Sequence, residues 1–413
     1  MHTRSWFVRR YVSVGLGVTV AALGVAIASG GAGATPKPAK PPIYFGAVMS
    51  LTGALSGYDV PALQGLQAEV ANLNASGGLL GRKVIFVYQN DASDPSKVVP
   101  ALQSLTSAHK ISYLLPELIP PFQSEMLPYT KSLKIVTASS TDGPGLFNAK
   151  KNPYNYQTYP ANGIVQAEVA ASFKLHKGTK LKLAIINDGD SAEVQFTSQV
   201  TALVKSKHGS VVYTTTVDPT ATDISLQVGQ AQSAGADLLL LQSGPPTCIA
   251  GAKGVATVGW KVPVLVGASC MNKANQTSVP SAVRPYYYAL GQRAYLRDPK
   301  TNGPPPTWNK FVAALKKYGA IQDLAVSRDA ADTEAIVAWA IKTAGTTNTA
   351  SVVKILNKTS KTKLPVGVEL TLPNPPWTAT DHTFNKANLA NFWALLRPGA
   401  PVNGTYKGVT FKP

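Results

Sequence analysis

The side chains that usually do chemistry are thinly spread in this chain. Its five histidines, His2, His109, His176, His208 and His382, lie far apart, and none falls in a recognisable motif. A nucleophile elbow, a zinc-binding helix or a phosphate-cradling loop would read G-x-S-x-G, H-E-x-x-H or G-x-x-x-x-G-K-[ST], and the sequence contains none of these. SLTGALSG is rich in glycine but lacks the G-x-G-x-x-G spacing of a dinucleotide turn. Cys248 and Cys270 have no histidine close by, so they do not suggest zinc. Neither a catalytic set, a metal nor a cofactor is expected. What the chain offers is recognition chemistry: short polar loops that directly follow apolar runs. They are residues 50–58 (SLTGALSGY), 115–121 (LPELIPP), 138–143 (ASSTDG), 187–193 (NDGDSAE), 243–248 (SGPPTC) and 267–272 (GASCMN). Serine, aspartate and glycine also serve turns and helix caps, which is the bland reading of any one loop. Three loops from each half of the chain point instead to a ligand held between two halves, because ligands of open α/β sheets sit at the carboxyl ends of strands.

The elements that must position those loops alternate. From Ile43, IYFGAVMS reads as a strand. PALQGLQAEVANLNA follows, with Leu63, Leu66, Val70 and Leu73 at helical spacing and Pro61 near the helix start. Gly77 and Gly78 stop that helix, KVIFVYQ starts a strand at once, and Asp94-Pro95 opens the next helix. ISYLLP and KIVTASS continue as strands around the helix PFQSEMLPYTKSL. KNPYNYQTYPANG is aromatic and non-periodic and reads as a crossing segment. Beyond it the strands KLAIINDGD, SVVYTTTVD, ADLLLLQSG and VPVLVGASC alternate with helices. Such alternation means βαβ units and parallel sheets. After PYYYALGQRAYL the pattern turns helical through residues 307–319, 328–345 and 349–359, and the tail from Val366 holds short strand-like pieces, ANFWALLR and YKGVTF. The late helices are expected to fold back on the first lobe and make it discontinuous. The expected division is 43–158 plus 292–375 for lobe 1, and 159–291 plus 385–413 for lobe 2.

At 413 residues, with 45% hydrophobic and 15% charged residues, the chain is globular and large enough for two domains. Its first residues carry Arg4, Arg9 and Arg10 without an acid, then an apolar run from Val12 to Ala28, then Ala32-Gly33-Ala34. That is the layout of a signal peptide, residues 1–34, cleaved after Ala34, with an uncleaved anchor as its rival. Residues 35–42 read as a Pro/Lys linker. No cysteine lies near the cleavage site to carry a lipid. The formal net charge is +18, spread as scattered lysines and not as a basic stripe, so nucleic acid is not an expected partner. In an exported chain Cys248 and Cys270 are expected to form one disulfide, with two free buried thiols as the alternative.

The stretch NASGGLLGRKVIFVYQNDASDPSK closely resembles the glycine-and-acidic-loop signature of branched-chain-amino-acid-type substrate-binding proteins, which have the periplasmic binding protein type I fold. IYFGAVMSLTGALSGY is similar to that family's first strand and ligand loop, LKIVTASSTDGPGLFN to its second ligand segment, and NPYNYQTYPANGIVQAEV to its first crossover. GADLLLLQSGPP and KVPVLVGASC resemble two later strands, while WNKFVAALKKYG and AADTEAIVAWAIKTAG resemble late helices. The resemblance implies an α/β fold of two Rossmann-like lobes with parallel central sheets joined by a three-strand hinge. It implies an exported receptor, monomeric, that traps a small organic solute, an amino acid or a related carboxylate or amide, and passes it to an ABC transporter permease. A sensory receptor of the same fold is the competing class. By position, Tyr58 would pack on the ligand, and Ser139, Ser140 and Thr141 would hold its carboxylate. Ser50, Glu117, Leu118, Gly244, Pro245 and Ser269 complete the expected cleft. The pattern also departs from the family. LPELIPP stands where a serine-rich loop is usual, Ala192 stands where a tyrosine is usual, and Ser269 or Cys270 stands where an ammonium-binding carboxylate is usual. Asp190 is the candidate replacement for that carboxylate.

Overall fold

The computed structural model describes residues 40–116, 118–143, 145–159, 162–176, 180–189, 191–362, 364, 375–384 and 392–410. The expected leader, its cleavage point and all but the end of the linker lie outside these residues. Strands β1 (Ile43–Met49), β2 (Val84–Asn90), β3 (Ile111–Leu115), β4 (Val136–Ser139) and β5 (Asn155–Gln157) form an all-parallel sheet in the order β2-β1-β3-β4-β5. Helices α1 (Ser56–Ala75), α2 (Pro95–Ala108) and α3 (Pro120–Ser132) make its crossovers.

The chain then enters α4 (Asn162–Leu175) and a second series: β6 (Lys182–Asn187), α5 (Ser191–Ser206), β7 (Ser210–Thr216), α6 (Ser225–Ser233), β8 (Leu238–Gln242), α7 (Pro245–Thr257), β9 (Val264–Val266), α8 (Lys273–Ser278) and β10 (Tyr287–Gln292). Helices α9 (Asn309–Leu315), α10 (Leu324–Ala344) and α11 (Thr349–Leu356) follow, then β11 (Trp393–Leu396) and β12 (Gly408–Val409). The second sheet runs β12-β11-β10-β9-β8-β6-β7, parallel except for the antiparallel pairs at β11 and β12. Interior strands are buried on both faces, which is why LLLLQ of β8 reads as one continuous apolar run.

The junction that opened the family resemblance is explained by local bonds. Gly77 and Gly78 adopt φ of 92° and 74°, and a Cβ on Gly78 would meet the Arg82 carbonyl oxygen at 2.0 Å. The Asn74 side chain then clamps the first residue of β2, accepting from Val84 N–H and donating to Val84 O, both at 2.8 Å. At the far end of β2, Asp94 accepts from Ser96 N–H at 3.0 Å and caps α2, with Pro95 in its first turn.

Two strands escape the sequence pattern. β5 is three fully buried residues inside the aromatic crossing segment, too short to show any alternation. β10 lies in PYYYALGQRAYL, where five of its six residues are buried and tyrosine, glycine and glutamine blur the apolar run. The late helices divide their packing. Ala330, Ile336 and Val337 of α10, with Val352 and Leu356 of α11, join the core beneath the first sheet, whereas Trp308, Val312 and Leu315 pack with the core of the second.

Candidate functional site

Loops from the carboxyl ends of both sheets enclose a cleft of about 570 Å³, within the usual range for small-molecule sites. The first sheet contributes Leu55, Tyr58, Leu118, Ser140, Thr141 and Asp142. The second contributes Asp188, Gln242, Gly244, Pro245, Pro246, Gly267 and Ser269, with Glu193 and Phe196 from α5. Gln292 at the end of β10, Tyr295, Val326 and Asp329 close it at the side where the chain returns to α10. Tyr159, just past β5, faces the same space.

The expected site residues divide into three groups. Tyr58, Leu118, Ser140, Thr141, Gly244, Pro245 and Ser269 line the cleft. Ser50 and Ser139 are buried behind its wall. The Ser50 hydroxyl donates to Asp91 Oδ1 at 2.6 Å, and the Ser139 hydroxyl accepts from Gln123 Nε2 at 2.8 Å. The reason is the period of a strand: Ser139 ends β4 facing inward, so Ser140 is the residue that faces the ligand space. Glu117 and Asp190 lie outside the described residues, and Ala192 falls in the first turn of α5.

Some hydroxyls are already engaged. Thr141 Oγ1 donates to Leu118 O at 2.5 Å, and Ser269 Oγ donates to Ser243 O at 2.8 Å. The acidic side chains are the feature the sequence reading missed. Asp188 accepts from Gly244 N–H at 2.6 Å and so pins the start of α7. Glu193 accepts from Gln242 Nε2 at 2.8 Å. Burial is the main force pushing the Glu193 carboxyl up; the Gln242 bond opposes it, and Asp142, Glu168 and Asp188 add to it. Burial likewise pushes Asp329 up to about 7, against the hydrogen bond from Gln292 and the charge of Arg328. Beneath the floor, Glu168 of α4 is fully buried with neither carboxyl oxygen hydrogen-bonded, and burial raises it to about 8. Desolvation also raises Tyr58, Tyr159 and Tyr295, so these rings are neutral phenols at physiological pH.

Among the described residues that line the cleft there is no histidine. His382 is buried, stacked on Tyr156 and hydrogen-bonded to Asn155 O and Asn357 Oδ1, both at 3.0 Å; burial lowers it to about 4. Among the described residues, no group of three or more His, Cys, Asp or Glu side chains is placed to hold a metal ion.

Cys248 and Cys270 form a disulfide. It ties the first turn of α7 to the turn after β9, the two segments that present Gly244, Pro245 and Ser269 to the cleft. With the cysteines 22 positions apart, the loop-entropy model gives about 3 kcal/mol of stabilisation. The Cys248→Ala/Cys270→Ala double variant should lose that amount in urea unfolding, and reduction of the parent should reproduce the loss. A variant as stable as the parent would show that the bond closes nothing the fold does not already hold.

Residues 42–387 match the periplasmic binding protein family. A Leu/Ile/Val-binding protein homolog of Brucella melitensis is 26% identical over 200 residues, which cover 48% of this chain and 53% of that protein. The chain therefore spans about half the length of that relative. Among solved structures, a Rhodopseudomonas palustris ABC transporter solute-binding protein in complex with 4-hydroxybenzoate superposes with a TM-score of 0.69 at 17% identity, over 91% of this chain and 98% of the other. The branched-chain amino acid transporter substrate-binding protein LivJ of Streptococcus pneumoniae, in complex with isoleucine, gives 0.67 at 16% identity, over 90% and 100%. The two-lobed parallel architecture and the family match across most of its length place this chain in the periplasmic binding protein family, with the type I fold.

Proposed function

We propose that the protein is an exported, monomeric receptor that captures a small organic solute between its lobes and delivers it to an ABC importer, without catalysing a reaction. The observation that carries this reading is the cleft itself: about 570 Å³, lined from the carboxyl ends of both sheets, mostly apolar or aromatic with polar groups converging on it. The relatives support it, since one is named for binding leucine, isoleucine and valine and two structural neighbours hold isoleucine and 4-hydroxybenzoate. A site made from two lobes binds tightly only where both touch the ligand, so affinity follows from contacts made in the closed form.

A thermal-shift screen of the purified protein against amino acids, organic acids, amides and amines tests the reading. A ligand at a hundredfold over its dissociation constant stabilises by about 2.7 kcal/mol, a shift of a few degrees. Tyr58→Ala should weaken the hit at least tenfold by removing a ring that faces the ligand. A library without a single hit would sink the receptor reading.

A further inference from the structure

We propose that the cleft selects a ligand carrying an ammonium or amidinium group on an apolar body, and lacking a free carboxylate; this rests on the receptor reading above. Asp142, Asp188, Glu193 and Asp329 line the cleft, and among the described residues no lysine, arginine or histidine does. A ligand carboxylate would enter beside four carboxyl groups and, among the described lining residues, no cationic side chain.

Several of the cleft's donors are missing or already engaged, which leaves the Ser140 hydroxyl and the Tyr58 and Tyr159 phenols. Helices α3 and α7 both start at its wall, and both begin with two prolines, Pro120-Pro121 and Pro245-Pro246. A helix N-terminus binds anions through its free N–H groups, and proline has none to offer. The hydroxyls of Thr141 and Ser269 are spent on backbone carbonyls. The Tyr295 hydroxyl donates to Asp323, at 2.7 Å to one carboxyl oxygen.

Acceptors are in surplus. Two strands end in glutamines that each donate Nε2 to a carboxyl: Gln242 of β8 to Glu193, and Gln292 of β10 to Asp329. That pairing fixes each amide's orientation and turns its Oε1 away from the carboxyl. Gln242 Oε1, Gln292 Oε1 and Asp329 Oδ1 have no hydrogen-bond partner, although these residues are only 2%, 4% and 5% exposed. Buried acceptors without a donor carry a desolvation penalty. A ligand rich in N–H groups relieves it as the lobes close, while Phe196, Tyr58 and Tyr159 cover its apolar part.

Binding a cation beside Asp329 should release a proton, because that carboxyl is pushed up to about 7 in the free protein. The groups around it are Gln292 from β10, Arg328 from its own helix, Asp323 at that helix's N-cap, and the neutral rings of Tyr295 and Tyr159. Amine affinity should therefore rise with pH up to about 7, by as much as tenfold per unit.

The test is a panel in which phenylalkyl, indolylalkyl and C4–C8 alkyl scaffolds each appear as amine, amino acid, carboxylate and amide, screened by thermal shift and followed by calorimetry at pH 5.5, 6.5 and 7.5. The expected result is stabilisation by an amine and none by its matched carboxylate. Affinity should drop at least tenfold in Asp329→Asn, with loss of the pH slope; Glu193→Gln is the second variant should the first fail to fold. Stabilisation by carboxylates or amino acids but not amines would overturn the inference and leave the receptor reading standing. An amine hit indifferent to both variants and to pH would overturn it too. A panel with no hit takes down the receptor reading, and this inference with it.

Discussion

Glu168→Gln should match the parent protein in stability near pH 4.5 and exceed it by on the order of 3–5 kcal/mol at pH 8. Glu168 is fully buried, neither of its oxygens is hydrogen-bonded, and a Cβ on Gly267 would lie 3.5 Å from Oε1. Burial raises its folded-state pKa from 4.5 to about 8; the nearby Gln242 amide favours the charged form but is already engaged by Glu193 Oε2 at 2.8 Å. The sign follows from proton counting. The folded state holds this proton more tightly than the unfolded chain, so the associated stability is fully present below pH 4.5. It is lost steadily up to pH 8, at about 1.4 kcal/mol per unit. Glutamine keeps the neutral form at every pH and removes that slope. Asp329, raised to about 7, and Asp323, raised to about 6, keep a residual decline in the variant. Urea unfolding at pH 5, 6, 7 and 8 decides it, and a variant with the parent's full pH slope would mean Glu168 is charged or solvated in the fold.

Gly65→Ala should destabilise the protein by about 3 kcal/mol, the upper part of the overpacking range. Gly65 sits on the face of α1 that crosses α10, where a Cβ would lie 1.8 Å from the Ser327 carbonyl oxygen and 2.6 Å from its carbonyl carbon. Both are backbone atoms of a helix and cannot rotate away. The next residue back, Gln64, ties α1 to the segment that leads into α10, donating to Ala320 O at 3.0 Å and Tyr318 O at 3.2 Å. Gly57, on the same helix, is the control. A Cβ there has its nearest contact at 4.0 Å, and Gly57→Ala should be neutral or slightly stabilising through helix propensity alone. Opposite outcomes at the two sites would locate the effect in the crossing; equal ones would assign it to propensity or the unfolded chain.

Much of the fold was legible because its signals are local. A helix stopped by Gly77-Gly78, a strand starting a few residues later and an Asp-Pro cap are each set by neighbours in sequence, and they form as read. β5 and β10 were not legible, since three buried residues and a tyrosine-glycine mixture carry no period. In the candidate site, the loops could be located but their charge could not. Gln242 and Gln292 look like unremarked strand ends until Glu193 and Asp329 are brought to them across 49 and 37 positions. In sequence Asp329 is one more polar residue of the late helical stretch 328–345. In the fold α10 is enclosed on nearly all sides, and Arg328, Asp332 and Glu334 are buried with it. The resemblance places Ser50 and Ser139 in the cleft by position, whereas the direction in which each side chain leaves the backbone decides.

The crossing of α1 and α10 also orders the folding of the chain in time. The Asn74–Val84 clamp closes over 10 positions, so the α1–β2 unit can assemble as soon as that stretch is available. Gly65 must wait for Ser327, a contact across some 260 positions that carries a far greater loop-closure cost. Until then Ala62, Leu66 and Val70, which share a core with Ala330 and Val337, lack the cover that α10 gives them. The first lobe therefore holds elements from both ends of the chain, and its α1 face is covered only once a helix some 260 positions later is in place.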